Sequence, residues 1–281
     1  MQNIVRSVLG AYVQTCQLLG LPIILKPNST LNQKFDVQNG IAFGEDDKVS
    51  CKYLTIGNGG HRIVAGTNGI PKVEPVQHTP RDCALYNHLP FVLRLPNDDL
   101  APEERANYRI RRQETHGGQI YIAYYLRVLD LSQTVPQLEL RVVQDGVTTS
   151  TPYDPQLSDL NPTPPAITPG GVLVTTGDYV AATGKVPFTM NAWDIEELLN
   201  VSNILYGDEG YAMISELALC TGADRIVTGE FNGVSSSYVE AVGVQVTCFI
   251  NTFFSAVFNN QSIETTFDVG SVEPMLALSQ P

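Results

Sequence analysis

The chain has 281 residues, 43% of them hydrophobic and only 16% charged, with a mean hydropathy of −0.02. That apolar content excludes a disordered chain and suffices for one large domain or two medium ones with real cores. A formal charge of −12 argues against a dedicated nucleic-acid binder, and the longest early apolar run, residues 18–25, is interrupted by Gly20 and Pro22 and too short to span a bilayer.

Residues 3–19 are expected to form an amphipathic helix. Ile4, Val8, Tyr12, Cys16 and Leu19 recur at helical spacing, Val5 and Leu9 widen the stripe, and Gly20 followed by Pro22 stops it. The same stretch has one Arg, several polar residues and no small-residue cleavage site, so no secretory leader is expected and synthesis is placed in the cytoplasm. Cys16, Cys51, Cys83, Cys220 and Cys248 form no C-x-x-C pair; they read as small buried hydrophobes in a reducing compartment.

Residues 23–100 alternate turns, at 39, 57 and 67, with short apolar runs, the pattern of an irregular β region. A hairpin is expected next. Tyr108 and Ile110 alternate with Arg109 and Arg111, Thr115-His-Gly-Gly118 turns the chain, and residues 119–131 form one long strand with Ile120, Ile122, Tyr124, Leu126 and Val128 on a buried face. Leu138, Leu140 and Val142 mark a third strand, which would complete an antiparallel meander.

From Ser150 to Gly171, six of 22 residues are proline. Proline removes backbone donors and favours extended chain, so a semi-rigid connector without helix is expected there. It would divide residues 1–149, a helix plus β-rich domain, from residues 172–281, an acidic α+β domain. In the latter, Asn191 caps a helix with Asp194 at its third position. Ile195, Leu198, Leu199, Ser202 and Leu205 form its buried face, and Gly207 ends it. Strands at 212–220, 224–231, 238–254 and 262–269 would give an antiparallel sheet packed on that helix. The expected class is α+β, β-rich.

Charge is polarised along the chain. Up to Ser150 there are 15 basic and 14 acidic residues; from Thr151 there are 2 and 15. Such polarity suits a basic partner or head-to-tail contact between copies, and equally a solvated acidic face.

Constellations that carry chemistry are weak. His78, Cys83 and His88 recur at five-residue intervals but lack zinc spacing and a fourth ligand, so no metal or other cofactor is expected. Gly57-Asn-Gly-Gly-His-Arg62 lacks the spacings of phosphate loops and reads as a tight turn. Glu45-Asp-Asp47 lacks the alternating ligands of a calcium loop. With no nucleophile elbow, zincin motif or ordered triad, the chain is not expected to be an enzyme. Arg105, Arg109, Arg111, Arg112 and Arg127 cluster among tyrosines, but Glu103, Glu104 and Glu114 are interspersed. Arg105, Arg109, Arg111 and Arg112 are therefore read as a candidate protein interface, where the planar guanidinium is favoured.

Three stretches in the first half carry a resemblance: Tyr86-Asn-His-Leu-Pro-Phe-Val-Leu-Arg94, Asp99-Leu-Ala-Pro-Glu-Glu-Arg-Ala-Asn-Tyr-Arg-Ile-Arg-Arg112, and Gly117-Gly-Gln-Ile-Tyr-Ile-Ala-Tyr-Tyr-Leu-Arg-Val-Leu-Asp-Leu131. Ile204-Leu-Tyr-Gly-Asp-Glu209 and Ile214-Ser-Glu-Leu-Ala-Leu-Cys-Thr-Gly222 add to it in the second. Together they resemble an uncharacterised family of structural proteins from tailed bacteriophages with contractile tails. The resemblance implies a virion subunit, made in the host cytoplasm and placed in the tail or baseplate. Its partners would be other virion proteins and copies of itself, not nucleic acid or membrane. It supplies no catalytic residues. Alternatives are a neck, collar or capsid-associated protein, or a module binding host glycan or receptor. Ala101 before Pro102 departs from the Ser or Thr expected as a cap, so the short helix that follows should fray.

Overall fold

A computed structural model describes residues 3–164, 171–231, 234–258 and 262–278. The first element among the described residues is a strand, β1 (Asn3–Arg6), and the first helix, α1, spans only Val8–Leu19. The helix expected over 3–19 is shorter because Ser7 caps it, its hydroxyl accepting from the Gly10 N–H, while residues 3–6 pair antiparallel with residues 248–251. Its buried face is Leu9, Gly10, Val13 and Cys16; Ile4, Val8 and Leu19 are exposed. Gly20 ends it in the left-handed region at φ 64°, as expected.

Next come α2 (Leu31–Phe35), β2 (Ser50–Gly57), β3 (His61–Ala65), β4 (Pro71–Pro75), β5 (His88–Leu89) and β6 (Val92–Arg94). After α3 (Pro102–Arg105), the hairpin β7 (Arg111–His116) and β8 (Gln119–Tyr124) turns at Gly117 and Gly118, both at positive φ. The single strand expected over 119–131 breaks at Tyr124 and resumes as β9 (Arg127–Val128), which pairs with β2 in another sheet. Ile122, Tyr124 and Leu126 are buried, but Ile120 near the turn is 47% exposed. The apolar character of both faces thus serves a chain passing between two sheets.

The strand around 138–142 forms as β10 (Gln137–Gln144), but the third member of the hairpin sheet is β6, in the order β6-β8-β7. β10 turns through Asp145 and Gly146, both at positive φ, into β11 (Val147–Pro152). Within the connector expected to be free of helix lies one helical turn, α4 (Leu157–Leu160). No proline falls inside it, and the Gln156 N–H donates to the Asp159 carboxylate to start it. Residues 165–170 of that connector lie outside the described residues.

An 18-residue strand, β12 (Leu173–Met190), has no counterpart among the elements expected from the sequence, because small and polar residues dilute its alternation. The helix α5 (Ala192–Tyr206) follows as expected, with a capping box between Asn191 and Asp194 and Gly207 at φ 75°. The strands expected at 212–220 and 224–231 are one, β13 (Met213–Phe231), bulged between Thr221 and Ala223 and at two earlier points. It forms a long antiparallel hairpin with β14 (Val234–Ser255), and β15 (Ile263–Leu278) is the last strand. The class is α+β and β-rich, with antiparallel sheets.

Two compact units result. The first, Met1–Leu129 with Thr189–Ile263, contains the sheet β1-β14-β13-β2-β5, with β9 on β2, and the smaller sheets β3-β4 and β6-β8-β7. Its core includes Leu31, Tyr53, Ile110, Val201, Val244 and Phe249, so α2 and α5 both contribute. The second, Asp130–Phe188 with Glu264–Pro281, is the sheet β11-β10-β12-β15. The division expected at 150–171 therefore does not follow the units: β12 returns to pair with β10, and the first unit is built from two separated stretches.

Candidate functional site

The four arginines singled out from the sequence converge on the first unit. Arg105 closes α3, which starts at Ala101 without a side-chain cap; Arg109 precedes β7, and Arg111 and Arg112 lie on it. Arg105, Arg109 and Arg111, with Tyr108, Tyr124 and Tyr238, line a cleft of about 250 Å³ that also reaches Glu240. The Arg111 guanidinium lies 6.0 Å from the Tyr124 ring centre and 5.8 Å from that of Tyr238.

Each guanidinium has a partner within the chain. Asp99, nearly buried, accepts from Arg105, from Arg111, from the Leu100 N–H at 2.9 Å and from the Tyr124 hydroxyl at 2.6 Å. Asp224 accepts from Lys52 Nζ at 2.8 Å, Tyr53 Oη at 2.7 Å and Arg109 Nε at 2.9 Å. Burial by itself would raise the Asp224 carboxyl; hydrogen bonds from Lys52 and Tyr53, with the charges of Arg109 and Lys52, outweigh it and hold the group below the usual range. Burial, with the hydrogen bond to Asp99, pushes the Tyr124 phenol up. Arg112 donates to the Phe35 carbonyl at 2.9 Å and pairs with Glu114 at 3.1 Å. Glu240, in the cleft wall, is raised chiefly by burial. The arginines thus join α3, β7 and the β13–β14 hairpin, with charge compensated inside the fold.

The same exchange removes the polarity seen along the sequence. Arg127 pairs with Asp194 at 2.6 Å, Arg94 with Glu197, and Lys52 and Arg109 with Asp224, all inside the first unit. That unit holds 15 basic and 20 acidic residues; the second holds 2 and 9. Basic residues of the N-terminal half are neutralised by acids from beyond residue 188, so the fold presents no basic half to meet an acidic one.

His78, Cys83 and His88 do not converge. His78 is buried between the rings of Tyr86 and Phe249, each 4.0 Å away and nearly parallel. Its Nε2 lies 2.7 Å from Glu216 Oε2 and its Nδ1 3.0 Å from Asp82. His88 Nε2 accepts from the Leu85 N–H at 3.0 Å, and Cys83 Sγ lies 3.5 Å from the Arg81 carbonyl. Among the described residues, no group of three or more His, Cys, Asp or Glu side chains is arranged to hold a metal ion.

Glu216 is the residue that sequence reasoning missed. Fully buried in β13, its carboxylate accepts from the N–H groups of Gly59 at 2.9 Å, Asn87 at 3.0 Å and Tyr86 at 3.1 Å, besides His78. The Gly57-Asn-Gly-Gly60 turn therefore supplies, through Gly59, one of the three backbone N–H groups that hold this buried carboxyl group. A Cβ on Gly59 would lie 2.9 Å from Glu216 Oε1 and 2.6 Å from Tyr86 Cβ, which is why glycine stands there. The available signal was a lone carboxylate inside the apolar run from Ile214 to Leu219.

No helix among the described residues is long and apolar enough to cross a membrane. The model of a family of unknown function, DUF7208, matches residues 1–281. No curated protein and no solved structure matches the chain.

Proposed function

This chain belongs to the DUF7208 family, and we propose that it is a structural subunit of a bacteriophage virion, a tail or baseplate component that works through protein–protein assembly. The observation that carries the assembly reading is the second unit, a single four-stranded sheet whose apolar side chains the chain leaves largely uncovered. Leu138, Val143, Val147, Leu173, Val174 and Val272, all on its strands, are 40–65% exposed. A sheet needs a second layer to bury its apolar face, and large exposed apolar area in a soluble fold marks a surface that other chains cover.

The viral placement rests on the stretches quoted above, 86–94, 99–112, 117–131, 204–209 and 214–222. In this reading the chain is not an enzyme, its partners are other virion proteins and copies of itself, and it engages neither nucleic acid nor membrane. The Asp99 and Asp224 networks then serve rigidity: they tie loops to sheets in a subunit that is held by its neighbours.

Cryo-EM of the particle tests the proposal. The chain is expected in the tail or baseplate, with more than about 1,200 Å² of total surface buried against neighbours. A solvent-exposed peripheral copy with under about 800 Å² of contact would overturn the scaffold role and favour receptor binding. Location in the neck or capsid would overturn the tail address.

A further inference from the structure

We infer that the outer edge of β7 takes up an extended, uncharged segment of a partner protein as an added strand. This deepens the assembly reading, and rests on it, by naming the kind of partner. β7 closes one side of the sheet β6-β8-β7, and neither a proline nor a register shift interrupts its six residues. The ladder shows which of its backbone groups face outward. The Tyr125 N–H donates to the Ile110 carbonyl at 3.1 Å, and the Tyr124 carbonyl is taken by the Phe91 N–H at 2.7 Å. Antiparallel pairs alternate between bonded and non-bonded. Arg112, Glu114 and His116 therefore exchange bonds with Ala123, Tyr121 and Gln119, while Gln113 and Thr115 direct their N–H and C=O away from β8. Among the described residues those four groups have no partner, and both residues are exposed. The Ala241 N–H takes the Arg109 carbonyl at 2.9 Å, but β14 forms no ladder with β7 beyond that point.

The surroundings of the edge select the occupant. The alternating N–H and C=O groups that an open edge offers are matched by an extended peptide backbone. Two clefts follow this edge. One, of about 520 Å³, runs along residues 112–116 and Ile120; the other, of about 430 Å³, is shared by residues 111–113 with residues 35–38, Tyr238 and Glu240. The second is walled by the exit of α2 and by β14, so a single strand enters where the two-stranded hairpin of a second copy would meet those walls. Side chains decide the rest. Arg112, Glu114 and His116 share one face, where Glu114 lies 3.1 Å from Arg112 and 2.9 Å from His116 and accepts from the Tyr125 hydroxyl at 2.6 Å. These groups already serve one another, so a neutral hydroxyl residue suits that face better than a charge. The other face carries Gln113, Thr115 and Ile120. Ile120 stands opposite Thr115 and is 47% exposed, and a β-branched apolar residue beside Thr115 extends its cover.

The test titrates the full chain with the labelled peptide Ser-Val-Thr-Val-Thr-Val-Ser. Controls are the same peptide N-methylated at its five central residues, and versions with Lys or Glu in place of Val. The parent peptide is expected to bind at least tenfold more tightly than each control. It should also slow exchange of the Gln113 and Thr115 amides at least tenfold, and leave those of Arg112 and Glu114, already bonded to β8, within about twofold. Gln113→Pro and Thr115→Pro each remove one outward donor and no bond to β8, and each is expected to lose about tenfold in affinity. The N-methylated control asks the same question with the chain intact, should either variant fail to fold. Equal binding of the parent and N-methylated peptides, or protection that bypasses Gln113 and Thr115, overturns the inference. Tighter binding of the Lys or Glu peptide overturns it too. So does a dimer in sedimentation whose formation protects those two amides, because the occupant is then a second copy. The particle reconstruction separates the two claims. A tail subunit with β7 unpaired keeps the structural role and removes this surface; a strand added to β7 in a chain outside the tail keeps the surface and removes the tail address.

Discussion

Glu216 ties two loops to the central sheet through one carboxylate. Three backbone N–H groups and His78 converge on it with no solvent access. Glu216→Gln keeps the shape but sets an amide N–H₂ against donors, and a buried donor left without its acceptor costs about 1–3 kcal/mol. A urea midpoint should report that loss; a change below about 1 kcal/mol would deny Glu216 its place as the anchor. His88 gives a prediction in pH. Burial, aided by the charges of Lys34 and His78, pushes its imidazole down to about 3, and its Nε2 is already accepting from the Leu85 N–H. The unfolded chain takes up a proton near pH 6.5 that the folded chain refuses. Stability from the neutral ring is therefore complete above that pH and falls by up to about 1.4 kcal/mol per unit as pH drops toward 3. Replacing the ring in His88→Gln should flatten the fall between pH 7 and 5; parallel curves for the two proteins would assign the titration elsewhere.

At the scale of elements, β8 distinguishes a strand buried along its whole length from one that enters the core partway. Tyr124 is 1% exposed and donates to Asp99, whereas Ile120, four residues earlier on the same face, is 47% exposed. Tyr124→Asp should cost about 4 kcal/mol or more, since a carboxylate enters a core next to Asp99; Ile120→Asp should stay within about 1 kcal/mol. Similar losses at both sites would restore the single buried strand. The first helix offers a parallel case. Val13, 2% exposed, should lose about 2 kcal/mol on truncation to alanine, and Val8, 56% exposed, about 0.5 or less. Thermal melts of the two variants decide whether Leu9, Val13 and Cys16 form the docked stripe.

For the whole molecule, the two units should differ in how tightly they hold their amides. Residues 54–56, 217–220 and 244–250 lie in a sheet with much of both faces buried, while every residue of β11 and residues 172–177 and 272–277 are exposed. Hydrogen exchange of the isolated chain should be slowest in the first group, by several orders of magnitude, and fastest in the second. Uniform protection across both groups would mean that the second unit is stable without neighbours, and would remove the main support for assembly.

Local chemistry was legible in the sequence alone. Gly20, Gly207 and the Asn191–Asp194 box end or begin their helices as read, because a cap is satisfied by atoms three or four residues away. Alternation located the cores of β8, β10, β14 and β15, because period two depends only on which face is wet. Which strand lies beside which was decided by tertiary structure. β10 joins β12 rather than the hairpin before it, and β12 itself escaped notice because its small residues carry little hydrophobic signal. The same holds for charge: Arg109 meets Asp224 across 115 positions and His78 meets Glu216 across 138. Composition counts such groups but cannot pair them, since the pairing energy appears only after the intervening chain has closed the loop.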